Sequence, residues 1–107
     1  MGDRTFFVYI MASRSGVLYT GITNSIVRRT AQHKARQANS FISLHRCTRL
    51  VWYELWPTPV LAIEREKQIK RWRRSKKIAL IRERNPCWAD LSQKWGTVIQ
   101  PYSAANQ

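Results

Sequence analysis

Two runs rich in aromatic and β-branched residues, Phe6 to Ala12 and Val17 to Thr23, are separated only by Ser13-Arg14-Ser15-Gly16. That pattern predicts a β-hairpin, the feature that narrows the fold most. The hairpin carries one tyrosine on each strand, Tyr9 and Tyr19. A simple four-residue loop sets Tyr19 opposite Ile10, whereas a one-residue bulge sets it opposite Tyr9, so composition leaves the register open.

Asn24 or Ser25 is a good N-cap for a helix running to about Ala38. At about 100° per residue, Ile26, Thr30 and His33 share one face, Arg29 lies about 60° to the side, and Arg28 points roughly opposite. Helix phase therefore prefers Arg29 over Arg28 for any task shared with His33. Residues 37–47 show no period and are expected to form an irregular connection. Arg49 to Leu55 reads as a third strand. Thr58 and Pro59 then supply a cap and a first helical residue, for a helix ending near Arg73. Ser75 is expected to cap a further helix ending at Arg84, before Asn85-Pro86. Trp88 to Trp95 suits a short amphipathic piece, and residues 96–107 a loose tail. The expectation is one α+β domain over residues 1–95, with a three-stranded antiparallel sheet and helices packed around it.

A net charge of +13 on 107 residues repels itself in a compact chain and points to an anionic partner, either nucleic acid or an anionic membrane surface. No apolar run approaches about 18 residues, so no membrane span is expected. Met1 to Thr5 lacks the apolar region of a signal peptide, and Phe6 stands where a myristoylation signal needs Ser or Thr. The chain reads as cytoplasmic. Cys47 and Cys87, far apart and without a second pair, argue against a zinc site or a disulfide framework and read as reduced thiols with packing roles.

Residues 65–84 hold ten of the nineteen basic side chains, opposed only by Glu66 and Glu83. Interleaved Trp72, Ile78, Leu80 and Ile81 make the stretch a packed helical surface. Lys67, Lys70, Arg71, Arg73, Arg74, Lys76 and Lys77 are its candidate phosphate contacts. Such contacts carry little base information. Trp72 can either stack on an unpaired base or pack in the core, and packing is the commoner role. Within the same helix Glu66 falls inside the apolar arc, while Glu64 lies among polar residues. A carboxylate placed inward needs a cation or donor beside it: a metal ion, the Arg29 guanidinium, or Lys70 one turn later.

The order of these groups resembles the GIY-YIG endonucleases, in particular their small single-domain bacterial members, and the resemblance runs from Phe6 to about Lys77. The first motif is degenerate, with Phe7-Val8-Tyr9 standing for Gly-Ile-Tyr, and the second reads Tyr19-Thr20-Gly21. Arg29 follows Tyr19 by ten residues and His33 by fourteen, which is the family spacing. Glu66, in Arg65-Glu66-Lys67-Gln68-Ile69-Lys70, matches the metal-binding glutamate. The resemblance implies hydrolysis of a phosphodiester by water with one divalent ion, Mg²⁺ or Mn²⁺, held by Glu66. It implies no small-molecule cofactor. Arg29 would grip the phosphate, and Tyr9 would act as general base with its pKa lowered from about 10 by surrounding positive charge. Tyr19 and His33 would orient water and phosphate or share the proton transfer. Gly21 permits close backbone approach. His45 has no counterpart, and Asn85 sits where some relatives carry a functional asparagine, although Asn-Pro is equally a helix stop.

The resemblance favours a DNA endonuclease, structure-dependent or weakly selective, with DNA preferred over RNA and no protein partner named. A basic nucleic-acid-binding module on the same fold that does not cut is the alternative. An anionic-membrane or ribosome-associated protein accounts for the charge but not for the tyrosine, arginine and glutamate constellation.

Overall fold

The computed structural model describes residues 5–35 and 47–93, which form β1 (Phe6–Ala12), β2 (Leu18–Thr23), α1 (Ile26–Ala35), β3 (Arg49–Trp56), α2 (Pro59–Arg71) and α3 (Arg74–Arg84). Several expectations lie outside the described residues: the helix beyond Ala35, the connection over 36–46 with His45, the end of the Trp88–Trp95 piece, and the tail.

The strands form an antiparallel sheet in the order β2-β1-β3, as the sequence predicts. Alternation along central β1 divides the core in two. Val8, Ile10 and Ala12 point to one face, where Trp52, Ala62, Ile69 and Ile81 meet them. Tyr9 and Met11 point to the other, with Ile26, Cys47 and Leu50. Helices α2 and α3 thus cover the first face, and α1 the second.

The hairpin register differs from both expectations. Tyr9 pairs with Gly21, and Tyr19 pairs with Met11. The connection is five residues long because Ser13 and Val17 close it: the Ser13 N–H donates to the Val17 carbonyl at 3.0 Å, and the Val17 N–H donates to Ser13 Oγ at 2.9 Å. Gly16, at φ +94°, supplies the left-handed residue this loop requires.

Between β1 and β3 the register shifts at Ile10/Met11, since Ile10 pairs with Trp52 and Met11 with Leu50. Val51 is the extra residue of a β-bulge. The outer side of β3 is closed by groups from further along the chain. Arg84 donates to the Tyr53 carbonyl at 3.2 Å, Asn85 Nδ2 to the Val51 carbonyl at 3.0 Å, and the Leu91 N–H to the Leu50 carbonyl at 2.8 Å.

Thr58 caps α2, accepting the Leu61 N–H at 3.3 Å, with Pro59 at the first position. Helix α3 starts one residue before Ser75, with Arg73 at the N-cap and no side-chain cap hydrogen bond, so Ser75 is not the expected cap. The α2–α3 connection is held instead by Trp72, half-buried against the core, with Lys76 over its ring at 4.3 Å and Arg65 at 5.3 Å. Packing is therefore the role of Trp72. Cys47 is buried but Cys87 is exposed, so only the first is a packing thiol.

Candidate active site

Helix α1 begins directly after β2, which ties its rotation to the strand. The Ser25 N–H donates to Thr23 Oγ1 at 3.1 Å, and the Ser25 carbonyl accepts the Arg29 N–H at 2.9 Å. Ser25, not Asn24, is thus the cap position. From that start the helix buries Ile26, Thr30 and His33, the face expected from its phase, and leaves Arg28 exposed with Arg29 at the margin.

His33 meets both strand tyrosines. Its Nε2 lies 2.9 Å from the Tyr9 hydroxyl. Its ring centroid stands 5.0 Å from Tyr19 and 5.5 Å from Tyr9, both edge-on, and the two tyrosine rings are 6.3 Å apart. Arg29 Nε donates to the Tyr9 oxygen at 3.4 Å, while its Nη1 donates to Gln32 Oε1 at 3.1 Å. The Tyr9 ring lies across Gly21: a Cβ there would stand 2.5 Å from the hydroxyl and 2.6 Å from Cζ. Any side chain at Gly21 would occupy the volume of the phenol.

Burial pushes the Tyr9 hydroxyl up to about 12, against the opposing pull of its hydrogen bond from Arg29; the charges of Tyr19 and Glu66 add to the rise. Burial therefore outweighs the lowering by Arg29, and the net shift is upward, contrary to the sequence expectation. The phenol loses more from desolvation than one guanidinium returns. Conversely, the bond to Tyr9 holds the Arg29 guanidinium charged more firmly than usual.

Glu66, on α2, acts on this cluster through its charge. Its carboxylate lies within electrostatic reach of the Tyr9 hydroxyl, and its side chain is only 14% exposed. Lys70 Nζ sits 2.7 Å from Glu66 Oε2, so the i,i+4 partner is realised alongside the inward position. Glu64 is exposed. Among the described residues no three His, Cys, Asp or Glu side chains group as metal ligands. A single half-buried carboxylate fits Mg²⁺, which keeps several of its waters and takes few protein ligands.

Along α2, α3 and the turn between them, Lys67, Arg71, Arg73, Arg74 and Lys76 are exposed and Lys77 is half-buried. Not all of the basic stretch is available to a partner. Arg65 is bound to Glu54 at 2.8 Å, Lys70 to Glu66, and Lys76 rests on Trp72. Asn85 donates Nδ2 to the Val51 and Ala89 carbonyls and accepts the Ala89 N–H at 3.0 Å, which is a tether within the fold. Sequence reading passes over Asp90, which joins three parts of the chain. The available signal is scarcity: with six acids against nineteen cations, every acid is a candidate tether.

Comparison with known proteins matches residues 5–79 to the GIY-YIG catalytic domain. UPF0213 proteins of Staphylococcus aureus strains Mu50 and N315 are each 37% identical over 78 residues, spanning 73% of this chain and 95% of their own. A UPF0213 protein of Bacillus halodurans, whose structure was determined in solution, is 23% identical with a TM-score of 0.47, covering 92% of this chain and 99% of its own.

Proposed function

This chain belongs to the GIY-YIG family, and from that premise we propose that it is a divalent-metal-dependent endonuclease hydrolysing phosphodiester bonds in DNA, weakly selective or structure-dependent, in the cytoplasm. The observation that carries the reading is the convergence of Tyr9, Tyr19, Arg29 and His33, from three elements, on one phenol that also feels the charge of Glu66.

A phenol held near 12 does not act as a free phenolate at neutral pH. It acts by passing a proton on. With His33 neutral and its proton on Nδ1, the Tyr9 O–H donates to Nε2. As water attacks phosphorus, the phenol oxygen takes the water proton while its own moves to His33, so no discrete phenolate is required. The P–O bond to the leaving oxygen breaks as the new one forms. Arg29, oriented by Tyr9 and Gln32, offers its remaining N–H groups to the phosphate oxygens. Tyr19 fixes the imidazole by its edge contact. Glu66 is the residue that would hold Mg²⁺ or Mn²⁺, which supplies charge neutralisation at the phosphate and leaving oxygen. Lys67, Arg71, Arg73, Arg74 and Lys77 supply sequence-independent phosphate contacts.

Cleavage of labelled branched, flapped and linear DNA with Mg²⁺, Mn²⁺ or EDTA tests this, with Glu66→Ala, Arg29→Ala and Glu64→Ala run beside the parent. Metal-dependent cutting lost in the first two and retained in the third is the expected result. Binding without cutting throughout supports the non-cutting module instead, for which a Glu66 committed to Lys70 is sufficient.

A further inference from the structure

Helix α1 carries two of the proposed site residues yet buries only Ile26, Thr30 and His33, and among these the Thr30 hydroxyl finds no partner in the described residues. So small and partly polar a face constrains the tilt of the last turn weakly. The last turn is fastened from elsewhere. Lys34, adjacent to His33, places Nζ 3.0 Å from Asp90 Oδ2. Asp90 is itself held rigidly: Oδ1 accepts the Leu50 N–H at 3.2 Å, the Ser92 N–H at 3.0 Å and the Ser92 hydroxyl at 2.7 Å. The following Leu91 N–H closes a second bond to the Leu50 carbonyl.

The segment presenting Asp90 is shaped for the purpose. Asn85 clasps Ala89 through both its N–H and its carbonyl. Trp88 turns the chain at φ +55°, and its carbonyl accepts Arg49 Nη1 at 3.3 Å. A tryptophan in the left-handed region is unusual, and it brings the next residues back over the start of β3.

We propose that Asp90 is a positioning residue of the site: anchored on Leu50, it holds Lys34 and so sets the height of His33 against Tyr9. The proposal rests on the nuclease reading for its kinetic consequence but not for its geometry. Displacement of a proton acceptor by a fraction of an ångström acts on the chemical step. Removing the tether should therefore lower kcat by roughly tenfold to a hundredfold with KM and DNA affinity little changed.

Three variants in the full chain test it: Asp90→Asn, Lys34→Met and Ser92→Ala. The nitrogen signals of the His33 ring, separated from those of His45 with a His45→Gln variant, report the Tyr9 contact by NMR without any cleavage. In Asp90→Asn and Lys34→Met these signals should shift alike and kcat should fall, whereas Ser92→Ala should lower Tm while leaving both near the parent. Should Asp90→Asn fail to fold, Lys34→Met decides alone. Unchanged His33 signals in a folded Lys34→Met protein overturn the proposal. If no variant and no parent cuts any DNA, the nuclease reading fails, and the ring signals still decide whether Asp90 positions His33.

Discussion

The Tyr9 hydroxyl lies 2.5 Å from the point where a Cβ on Gly21 would stand, so the phenol occupies the volume that a side chain on the neighbouring strand would take. Tyr9 is buried to 1% exposure, and its ring cannot swing away into solvent. Gly21→Ala should therefore move the hydroxyl off His33 and Arg29. Activity is expected to fall on the order of a hundredfold, with the sheet intact by circular dichroism. Parent-like cleavage by a folded Gly21→Ala protein would contradict the placement of Tyr9.

The elevated Tyr9 pKa has its own signature. A phenol at about 12 in the fold and 10.0 by its ordinary value keeps its proton longer when folded. It contributes stability fully present below pH 10.0, which is lost as pH rises through about 12. Titration followed by tyrosinate absorbance should show one late, burial-dependent step, and Tyr9→Phe should abolish it. The same variant should reduce cleavage by about 10²- to 10⁴-fold, the usual contribution of a positioned proton-transfer group.

Basic residues should divide by their partners. Arg65, bound by Glu54 and packed beside Trp72, belongs to the fold. Arg65→Ala should cost about 1–3 kcal/mol of stability by leaving Glu54 without its cation and barely alter the salt dependence of DNA binding. Arg71→Ala and Arg73→Ala, at exposed positions, should leave Tm nearly unchanged. Each should reduce the slope of log K against log salt by about 1.

Asp90 should mark the acid limb of the stability curve. Burial works to raise its carboxyl, but the hydrogen bonds from Ser92, Lys34 and Leu50 outweigh it and hold the group below its ordinary value of 3.8. A depressed pKa contributes stability that is present above 3.8 and lost as pH falls through the folded value. Asp90→Asn should thus be less stable than the parent near neutrality, and the gap should close in strong acid, as read by denaturant midpoints across the pH series.

What was legible in the chain follows from local physics. The 3.6-residue period placed His33 inward and Arg28 outward, and Thr58-Pro59 marked the start of α2, since caps and phase depend on near neighbours. The hairpin register was not legible, because it turns on Ser13 bonding twice to Val17 and on the left-handed Gly16. Nor was the rise in the Tyr9 pKa, which depends on how much of the molecule covers one ring. Ile63 also belies its type: at 41% exposure it lies outside the face on which Ala62 and Ile69 are buried. Asp90 and Asn85 act 40 and 34 residues from their β3 partners, a separation that no window on the sequence reads.

The closure of β3 has a further consequence. An edge strand ordinarily offers its free carbonyls and N–H groups to any passing chain. Here Arg84, Asn85, Asp90 and Leu91 already engage the outward groups from Leu50 to Tyr53. A fourth strand would therefore find the Leu50 N–H and the Leu50, Val51 and Tyr53 carbonyls already taken, and the width of the sheet is limited on this side by the end of α3 and the residues that follow it. A protein with +13 of charge and one sealed border should resist growth into ribbons through β3, which leaves this edge a barrier to self-assembly.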